Sequence, residues 1–348
     1  MLSNLIIKDF RGIKNLSLDN IGQINLLIGK NDSGKSTILE AIYHLFHELC
    51  TPPYLSSILT RRTNAFTGMS ELFYGYQGKI ATIHATYNDA KFYWQLSVDE
   101  KRNSLSSHLF QNFDDGRDDR ILGSVGYSNN FSLTQSPNDM INRFIGLKLG
   151  TFKTLTTYGS NLAFVDCSLK SNTREIERIL GTLKITSKDQ QFGNILNDIF
   201  GKGRDWEFIP HPEDPDSKRA AFKEGGKLKY FADFGDGLRN CVGILGTASN
   251  LQDTAMCVEE IESHQHNGSL KKIIRHLVDI SRANNIQLFL STHSMQTWES
   301  LHRGIYATDD ELEQKEFRCF LVDRDPSTGE VTAESTYDVQ KITSALSD

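Results

Sequence analysis

Eight consecutive residues, Gly29-Lys30-Asn31-Asp32-Ser33-Gly34-Lys35-Ser36, satisfy the pattern GxxxxGK[ST] at every fixed position. They follow a short apolar run, Ile24-Asn25-Leu26-Leu27-Ile28, of the kind that suits a buried parallel strand. They precede Ile38, Leu39, Ile42, Leu45, Phe46 and Leu49, whose spacing predicts a helix from Ser36 that Pro52-Pro53 stops. A strand, a glycine-bearing loop and a helix form the context in which such a loop wraps a polyphosphate. Backbone N–H groups must point at the anion, which favours glycine where a Cβ would intrude. The helix presents its positive end to the same anion, Lys35 adds a point charge and the Ser36 hydroxyl can ligate Mg2+. A chance match in a chain of this composition is on the order of one in a hundred; the bland alternative is a glycine-rich turn without a ligand.

The 348 residues suggest two domains, or one core with a large insertion. With 38% hydrophobic and 24% charged residues, collagen-like, low-complexity and wholly disordered chains are excluded. The net charge of −6 argues against nucleic-acid binding over the whole surface. Local basic groups remain at Arg61-Arg62, at Lys170, Arg174 and Arg178, and at Lys218-Arg219 with Lys223 and Lys227, each of which reads equally as a solvated face. Charges at Lys8, Asp9 and Arg11 interrupt the region where a secretory core would continue, and no apolar run approaches the roughly 20 residues needed to span a bilayer. Cys50, Cys167, Cys241, Cys257 and Cys319 are dispersed, without any CxxC, as expected of buried thiols in a reducing compartment. A soluble cytoplasmic protein with no membrane partner is expected.

Residues 2–8 and Ile13–Leu18 read as paired strands around a turn at Arg11-Gly12. Lys79–Tyr87 and Lys91–Val98 suggest a hairpin around Asn88-Asp89. Residues 100–140 are crowded with Asp, Asn, Ser and Gly, and are expected to be loops with short elements. Leu162–Val165 reads as a strand, Arg174–Leu183 and Phe192–Phe200 as helices, and His211–Lys227 as a turn-rich connector. Downstream, helix Leu238–Leu245 follows Gly235-Asp236-Gly237. Strand Ala255–Val258, helix Ser269–Ile280, strand Ile286–Leu290 and helix Met295–Leu301 come next, and Phe317–Val322 with Glu330–Ala333 closes a hairpin over DPSTG.

A loop of this kind needs a carboxylate for Mg2+ and a group that orients the attacking water. The buried run Ala255–Val258 ends in Glu259-Glu260, where open α/β sheets bind ligands. Glu259 suits the metal side and Glu260 the water; on its own, the run is also an ordinary strand meeting solvent. The following Glu262-Ser263-His264-Gln265-His266 invites a transition-metal reading, but Mg2+ already accounts for the glutamates, and Ser263 and His264 suit a subunit interface better. His293, 34 positions after Glu259 at the end of the next strand, is placed to touch a γ-phosphate. Gly235-Asp236-Gly237 before a helix is a second anion-seeking terminus, or an ordinary turn.

Together these stretches resemble the ABC-type ATPase heads of the SMC, RecF and OLD-like AAA group, over residues 1–50 and roughly 228–325. LIIKDFRGIKNLSL…INLLIGKNDSGKSTILEAI is similar to that group's opening, with Arg11 in its "FR" element; FGDGLRN is similar to its signature helix, VEEIESHQH to its carboxylate strand and D-loop, and LFLSTHS to its switch-histidine strand. Ile261 stands where Pro is frequent in the group, and Gln265 where Leu is. The resemblance implies an α/β P-loop NTPase fold: an ABC-ATPase-like head with a mixed central sheet, an antiparallel β subdomain and a helical insertion. It implies a core split into residues 1–55 and 228–348 around an insertion at 56–227. ATP and Mg2+ are the implied cofactors. Arg11, Gly29, Lys30, Asn31, Asp32, Ser33, Gly34, Lys35, Ser36 and Thr37 would contact nucleotide, Ser36 and Glu259 the metal, and Glu260 and His293 the reaction. Gly235, Asp236 and Gly237 would reach the nucleotide of a second subunit.

The same resemblance implies a head-to-tail homodimer, or a higher homo-oligomer, that closes on ATP and loosens on hydrolysis. Only 55 residues follow His293, so neither the Toprim domain of OLD nucleases nor intrinsic nuclease activity is expected, and without sustained heptads no long coiled coil is expected either. Standalone OLD-like ATPases resemble the sensor halves of defence pairs. That analogy points to a separate nuclease or toxin as effector, to anti-phage defence, and to DNA as a further partner. Two other classes stay open: a nucleotide-stabilised scaffold or antitoxin-like protein that does not hydrolyse ATP, and a transporter subunit, against which the absence of LSGGQ argues.

Overall fold

The computed structural model describes residues 1–47, 74–76, 78–99, 104–112, 120–128, 162–166, 169–170, 172–201, 205–211, 214–302 and 316–347. In chain order the strands are β1 (Leu2–Phe10), β2 (Ile13–Leu18), β3 (Ile24–Ile28), β4 (Ile80–Tyr87), β5 (Ala90–Asp99), β6 (Ser104–Asn112), β7 (Arg120–Ser128), β8 (Ala163–Val165), β9 (Trp206–His211), β10 (Asp214–Glu224), β11 (Lys227–Tyr230), β12 (Ala255–Val258), β13 (Gln287–Thr292), β14 (Phe317–Arg324) and β15 (Val331–Ser335). The helices are α1 (Lys35–His47), α2 (Thr173–Ile185), α3 (Asp189–Phe200), α4 (Asp236–Cys241), α5 (Thr247–Asn250), α6 (Asn267–Ala283), α7 (Met295–His302) and α8 (Val339–Leu346). The chain forms two units, Met1–Leu162 with Lys315–Asp348, and Ala163–Gln314.

In the first unit an antiparallel sheet runs β2-β1-β4-β5-β6-β7. The alternation of apolar residues along β1 and β4 sends Leu5, Ile7, Ala81 and Ile83 to one buried face. Phe10 from β1 and Trp94 from β5 meet edge-on at 6.1 Å, and Trp94 stacks on His44 of α1 at 5.8 Å. The same unit pairs β14 in parallel with β3 and antiparallel with β15, a mixed arrangement. All five residues of β3 are buried, Asn25 among them with its side-chain amide bonded to the Gly22 backbone at 2.8 and 2.9 Å. In the turn between β14 and β15, Asp325 accepts from the Ser327 hydroxyl at 2.6 Å and from the Ser327 and Thr328 amides, which holds its carboxyl below the ordinary range.

In the second unit β8, β12 and β13 are parallel, with β12 in the middle and wholly buried. The amphipathic helices α2 and α3 bury Ile176, Leu180, Leu183, Phe192 and Leu196. A separate antiparallel sheet runs β11-β10-β9.

Three segments depart from the sequence reading. Residues expected as loops between 100 and 140 contain β6 and β7, which continue the sheet from the open edge of β5 through backbone pairing; the rest of that stretch lies outside the described residues. The expected connector at His211–Lys227 is mostly β10. A bulge between Asp214 and Lys218 absorbs Pro215, and Gly225 and Gly226, at φ 59° and 81°, make the hairpin turn. What fixes the strand is Phe222, fully buried against Trp206 at 5.9 Å, Phe231 at 5.4 Å and Phe234 at 5.6 Å. The helix expected from Leu238 begins earlier, with α4 at Asp236, and runs through a π turn at Val242–Gly246 into α5. The pattern also missed α8, which buries only Ile342 and is capped by the Asp338 carboxylate accepting from the Gln340 and Lys341 amides.

Candidate functional site

The first unit carries the loop that joins β3 to α1. Its first glycine has no room for a side chain: a Cβ on Gly29 would lie 2.0 Å from the Val322 carbonyl oxygen of β14 and 3.0 Å from Ser33 Oγ. Asp32 and Gly34 take φ values of 62° and 105°, which turn the chain tightly enough to start the helix at Lys35. The Lys35 side chain folds back under the loop: its ammonium donates to the Gly29 carbonyl at 2.8 Å, to the Lys30 carbonyl, and to Ser33 Oγ at 3.3 Å. A buried cation thus stands among backbone groups at a helix N-terminus, while Asn31 and Asp32 are exposed at the crest, Ser36 is half-buried and Thr37 is buried. A cradle that only glycine fits, a left-handed turn and a lysine at the helix start suit a polyphosphate. Gly29→Ala should cost about 1–3 kcal/mol through overpacking against a backbone oxygen, read as a lowered midpoint of thermal unfolding.

Two arginines flank this loop. Arg11, at φ 51° in the β1–β2 turn, directs Nη1 to Glu40 of α1 at 2.7 Å, so the turn is tied to the helix behind the loop. Arg324 was not singled out from the sequence. Its Nε donates to the Asp32 carbonyl at 2.8 Å and its Nη1 to the Gly329 carbonyl at 3.2 Å, so it braces the loop crest from the end of β14. Nothing local to position 324 signals this role.

The second unit gathers the carboxylates and the histidine. Beyond Val258 the chain leaves the sheet: the Glu259 amide donates to the Val165 carbonyl at 2.9 Å, and the Glu260 amide to Ser291 Oγ at 3.1 Å. Glu260 is exposed, lies at φ 47°, and accepts from the Ser263 hydroxyl on Oε2 at 3.2 Å. Lys170 donates to the carbonyls of Glu259 and Glu260 at 2.6 and 2.8 Å. His293, exposed at the end of the strand run, donates its amide to Glu262 Oε1 at 2.9 Å, and its Nδ1 lies 3.2 Å from the same oxygen. A carboxylate beside Nδ1 favours the tautomer that carries its proton there. Glu262, also not singled out for this from the sequence, has its Oε2 buried with no hydrogen-bond partner among the described residues.

The Gly235-Asp236-Gly237 segment joins the same network. Gly235 is the N-cap of α4, and the Gly237 carbonyl accepts from Gln265 Nε2 at 2.9 Å. One turn on, Asn240 Nδ2 donates to the Ser263 carbonyl at 2.9 Å. The helix start and Glu260 are therefore connected through residues 263–265. Asp236 is exposed and paired with Arg239, and His264 Nδ1 lies 3.8 Å from its Oδ2. The fully buried Cys241 thiol has its pKa raised by burial, which suits a packing role. Cys257 and Cys319 are likewise buried, while Cys50 and Cys167 lie outside the described residues.

Among the described residues no three His, Cys, Asp or Glu side chains assemble as a metal-holding group, and no helix is long and apolar enough to cross a membrane. The basic groups are partly spoken for: Lys170 is 5% exposed, Arg178 pairs with Glu175 and Arg219 with Glu177. Lys218, Lys223 and Lys227 are exposed, and Arg61-Arg62 lies outside the described residues.

The profile of the family described as "AAA domain, putative AbiEii toxin, Type IV TA system" matches residues 24–297. An "ATP/GTP phosphatase" of Helicobacter pylori is 21% identical over 352 residues, covering 89% of this chain and 90% of that protein. The DNA replication and repair protein RecF of Actinobacillus pleuropneumoniae is 29% identical over 102 residues, and the match spans only 24% of its length. Among solved structures, an Smc head bound to the C-terminal winged-helix domain of ScpA superposes with a TM-score of 0.59 at 14% identity, covering 98% of this chain and 99% of that one. An Smc head from Pyrococcus furiosus gives 0.51 at 14% identity, covering 99% and 98%. With a profile that spans most of its length, the chain belongs to this AAA domain family, and its fold is similar to that of an Smc head.

Proposed function

We propose that the protein is a Mg2+-dependent switch that binds and hydrolyses ATP, pairs head to tail with a second copy when ATP is bound, and controls a separate effector. The observation that carries this reading is the Gly29 cradle with Lys35 buried beneath it. The loop residues 29–37 hold the phosphates, and the Ser36 hydroxyl and the Glu259 carboxylate are the oxygen donors proposed for Mg2+, which when bound neutralises charge on the phosphates. Glu260 takes the proton of the attacking water, and His293, oriented by Glu262 through Nδ1, meets the γ-phosphate with Nε2. Gly235, Asp236 and Gly237 face the nucleotide of the second copy. Asp236 is an anion at that helix start, and its pairing with Arg239 lessens the repulsion it would offer a phosphate.

Linkage sets the strength of such a switch. Nucleotide at 100 times its dissociation constant favours the closed state by about 2.7 kcal/mol per site, so two sites move assembly from minor to dominant. The OLD-like resemblance extends the proposal to a nuclease or toxin as effector, to anti-phage defence in the cytoplasm, and to DNA as a further partner through the exposed Lys218, Lys223 and Lys227. The test is phosphate release by the purified chain with ATP and Mg2+, with and without EDTA, alongside light scattering. Turnover that EDTA abolishes, with a doubling of mass on ATP, is expected. Calorimetry that finds no binding of Mg-ATP overturns the reading.

A further inference from the structure

Lys170 is buried to 5% exposure at the end of the turn that follows β8. This turn is built to present it: the Lys170 amide donates to the Asp166 carbonyl at 3.0 Å, and Asp166 Oδ1 accepts from the Leu169 amide at 2.9 Å. Because Val165 is in register with Val258, the turn leaves the sheet at the same level as Glu259. From there the ammonium reaches the carbonyl oxygens of Glu259 and Glu260, at 2.6 and 2.8 Å.

In an extended strand, consecutive carbonyls point to opposite sides, so one ammonium cannot bond both. Here both converge because Glu260 has left the extended region for φ 47°, a conformation a glutamate adopts only when its surroundings impose it. The Lys170 ammonium rewards that conformation and no extended one. The Ser291 hydroxyl, accepting from the Glu260 amide, holds the same peptide from the side of β13.

We infer that Lys170 is a positioning residue for the hydrolytic step: by clamping the carbonyls of Glu259 and Glu260 it fixes the left-handed turn that aims the Glu260 carboxylate. The inference rests on the ATPase reading above and assigns Lys170 no contact with nucleotide. It also removes Lys170 from the basic groups open to DNA.

The test compares the wild-type chain with Lys170→Met, which keeps the apolar stem and removes the donors, and Lys170→Arg, which restores a cation with several donors. Lys170→Met should lower kcat by about 100-fold, the scale of a misplaced catalytic group, with the calorimetric dissociation constant for Mg-ATP within about threefold of wild type because binding energy outside the reacting centre is kept. Lys170→Arg should recover most of the rate. Combined with Glu260→Gln, Lys170→Met should cost nothing further, since both act through one carboxylate. Full turnover in Lys170→Met, or additive losses in the double variant, overturns the inference. Hydrogen exchange of the 259–263 amides, faster in Lys170→Met, reads the clamp independently of chemistry, and unchanged exchange also overturns it. If Lys170→Met does not fold, Lys170→Gln, which removes the charge and shortens the reach of its amide donors, is measured in its place. Failure of the wild-type chain to hydrolyse ATP that it binds sinks the ATPase reading alone, and the exchange result then decides the clamp.

Discussion

Lys35→Met will weaken Mg-ATP binding by roughly 100-fold or more, the loss expected when a buried cation proposed to meet the β- and γ-phosphates is removed. The Lys35 ammonium already sits inside the loop, held by the Gly29 and Lys30 carbonyls and Ser33 Oγ. Those neutral acceptors keep it in the cradle, so charge is pre-positioned and little side-chain entropy remains to be lost when phosphate binds. Methionine retains the stem that fills this space. It removes the Lys35 donor from the Gly29 carbonyl, while the Lys30 carbonyl keeps the Ser33 amide at 3.3 Å; the loss costs about 1–3 kcal/mol, and a drop of several degrees in thermal midpoint should accompany the lost affinity. Isothermal calorimetry checks the first effect and a thermal melt the second. Unchanged Mg-ATP affinity in a folded Lys35→Met protein would show that this loop is not the nucleotide site.

The second large effect concerns chemistry rather than binding. Glu260→Gln should reduce turnover by about 1,000-fold, within the range ascribed to a general base, while Mg-ATP binding stays within about threefold. Glu260 is exposed and its Oε2 accepts a single hydrogen bond from Ser263. Glutamine can keep that bond through its amide oxygen, so stability should move by no more than about 0.5 kcal/mol. With hydrolysis stopped, ATP-bound protein should accumulate as a closed dimer, visible as doubled mass in light scattering. Wild-type turnover in Glu260→Gln would place the water-activating group elsewhere. Wild-type protein that dimerises on ATP without releasing phosphate would support the scaffold reading.

Lys35 and Glu260 both announce themselves in the amino-acid sequence. The loop is legible because its parts are contiguous: an apolar run, glycines where a Cβ would strike a neighbour, and a helical period all fall between Ile24 and His47. Glu259, Glu260 and His293 were legible for a similar reason, as polar residues at the ends of short buried runs. The Gly235 segment was legible in type but not in register, since the helix starts at Asp236 and includes a π turn. In that turn Gly246 lies where a Cβ would approach Ile179 to 2.7 Å, a constraint set by another helix.

The strands misread as loops show a different limit. β6 and β7 exist because β5 offers an open edge, and β10 because Phe222 enters an aromatic cluster built from Trp206, Phe231 and Phe234. Neither cause is visible in a local window, where β-forming side chains are sparse.

From the order of residues alone follow the glycine-bearing loop between β3 and α1, the paired glutamates after β12 and the histidine after β13, because hydrophobic period, glycine stereochemistry and chain punctuation act over a few neighbouring residues. Only the folded chain decides what holds them: Arg324 on the carbonyl of Asp32, 292 positions away, Glu262 on the ring of His293, and Lys170 on the carbonyls of Glu259 and Glu260 across 89 positions or more. These bonds join donors and acceptors that any arginine, glutamate or lysine could supply. Their partners are chosen by which strand ends and turns lie side by side.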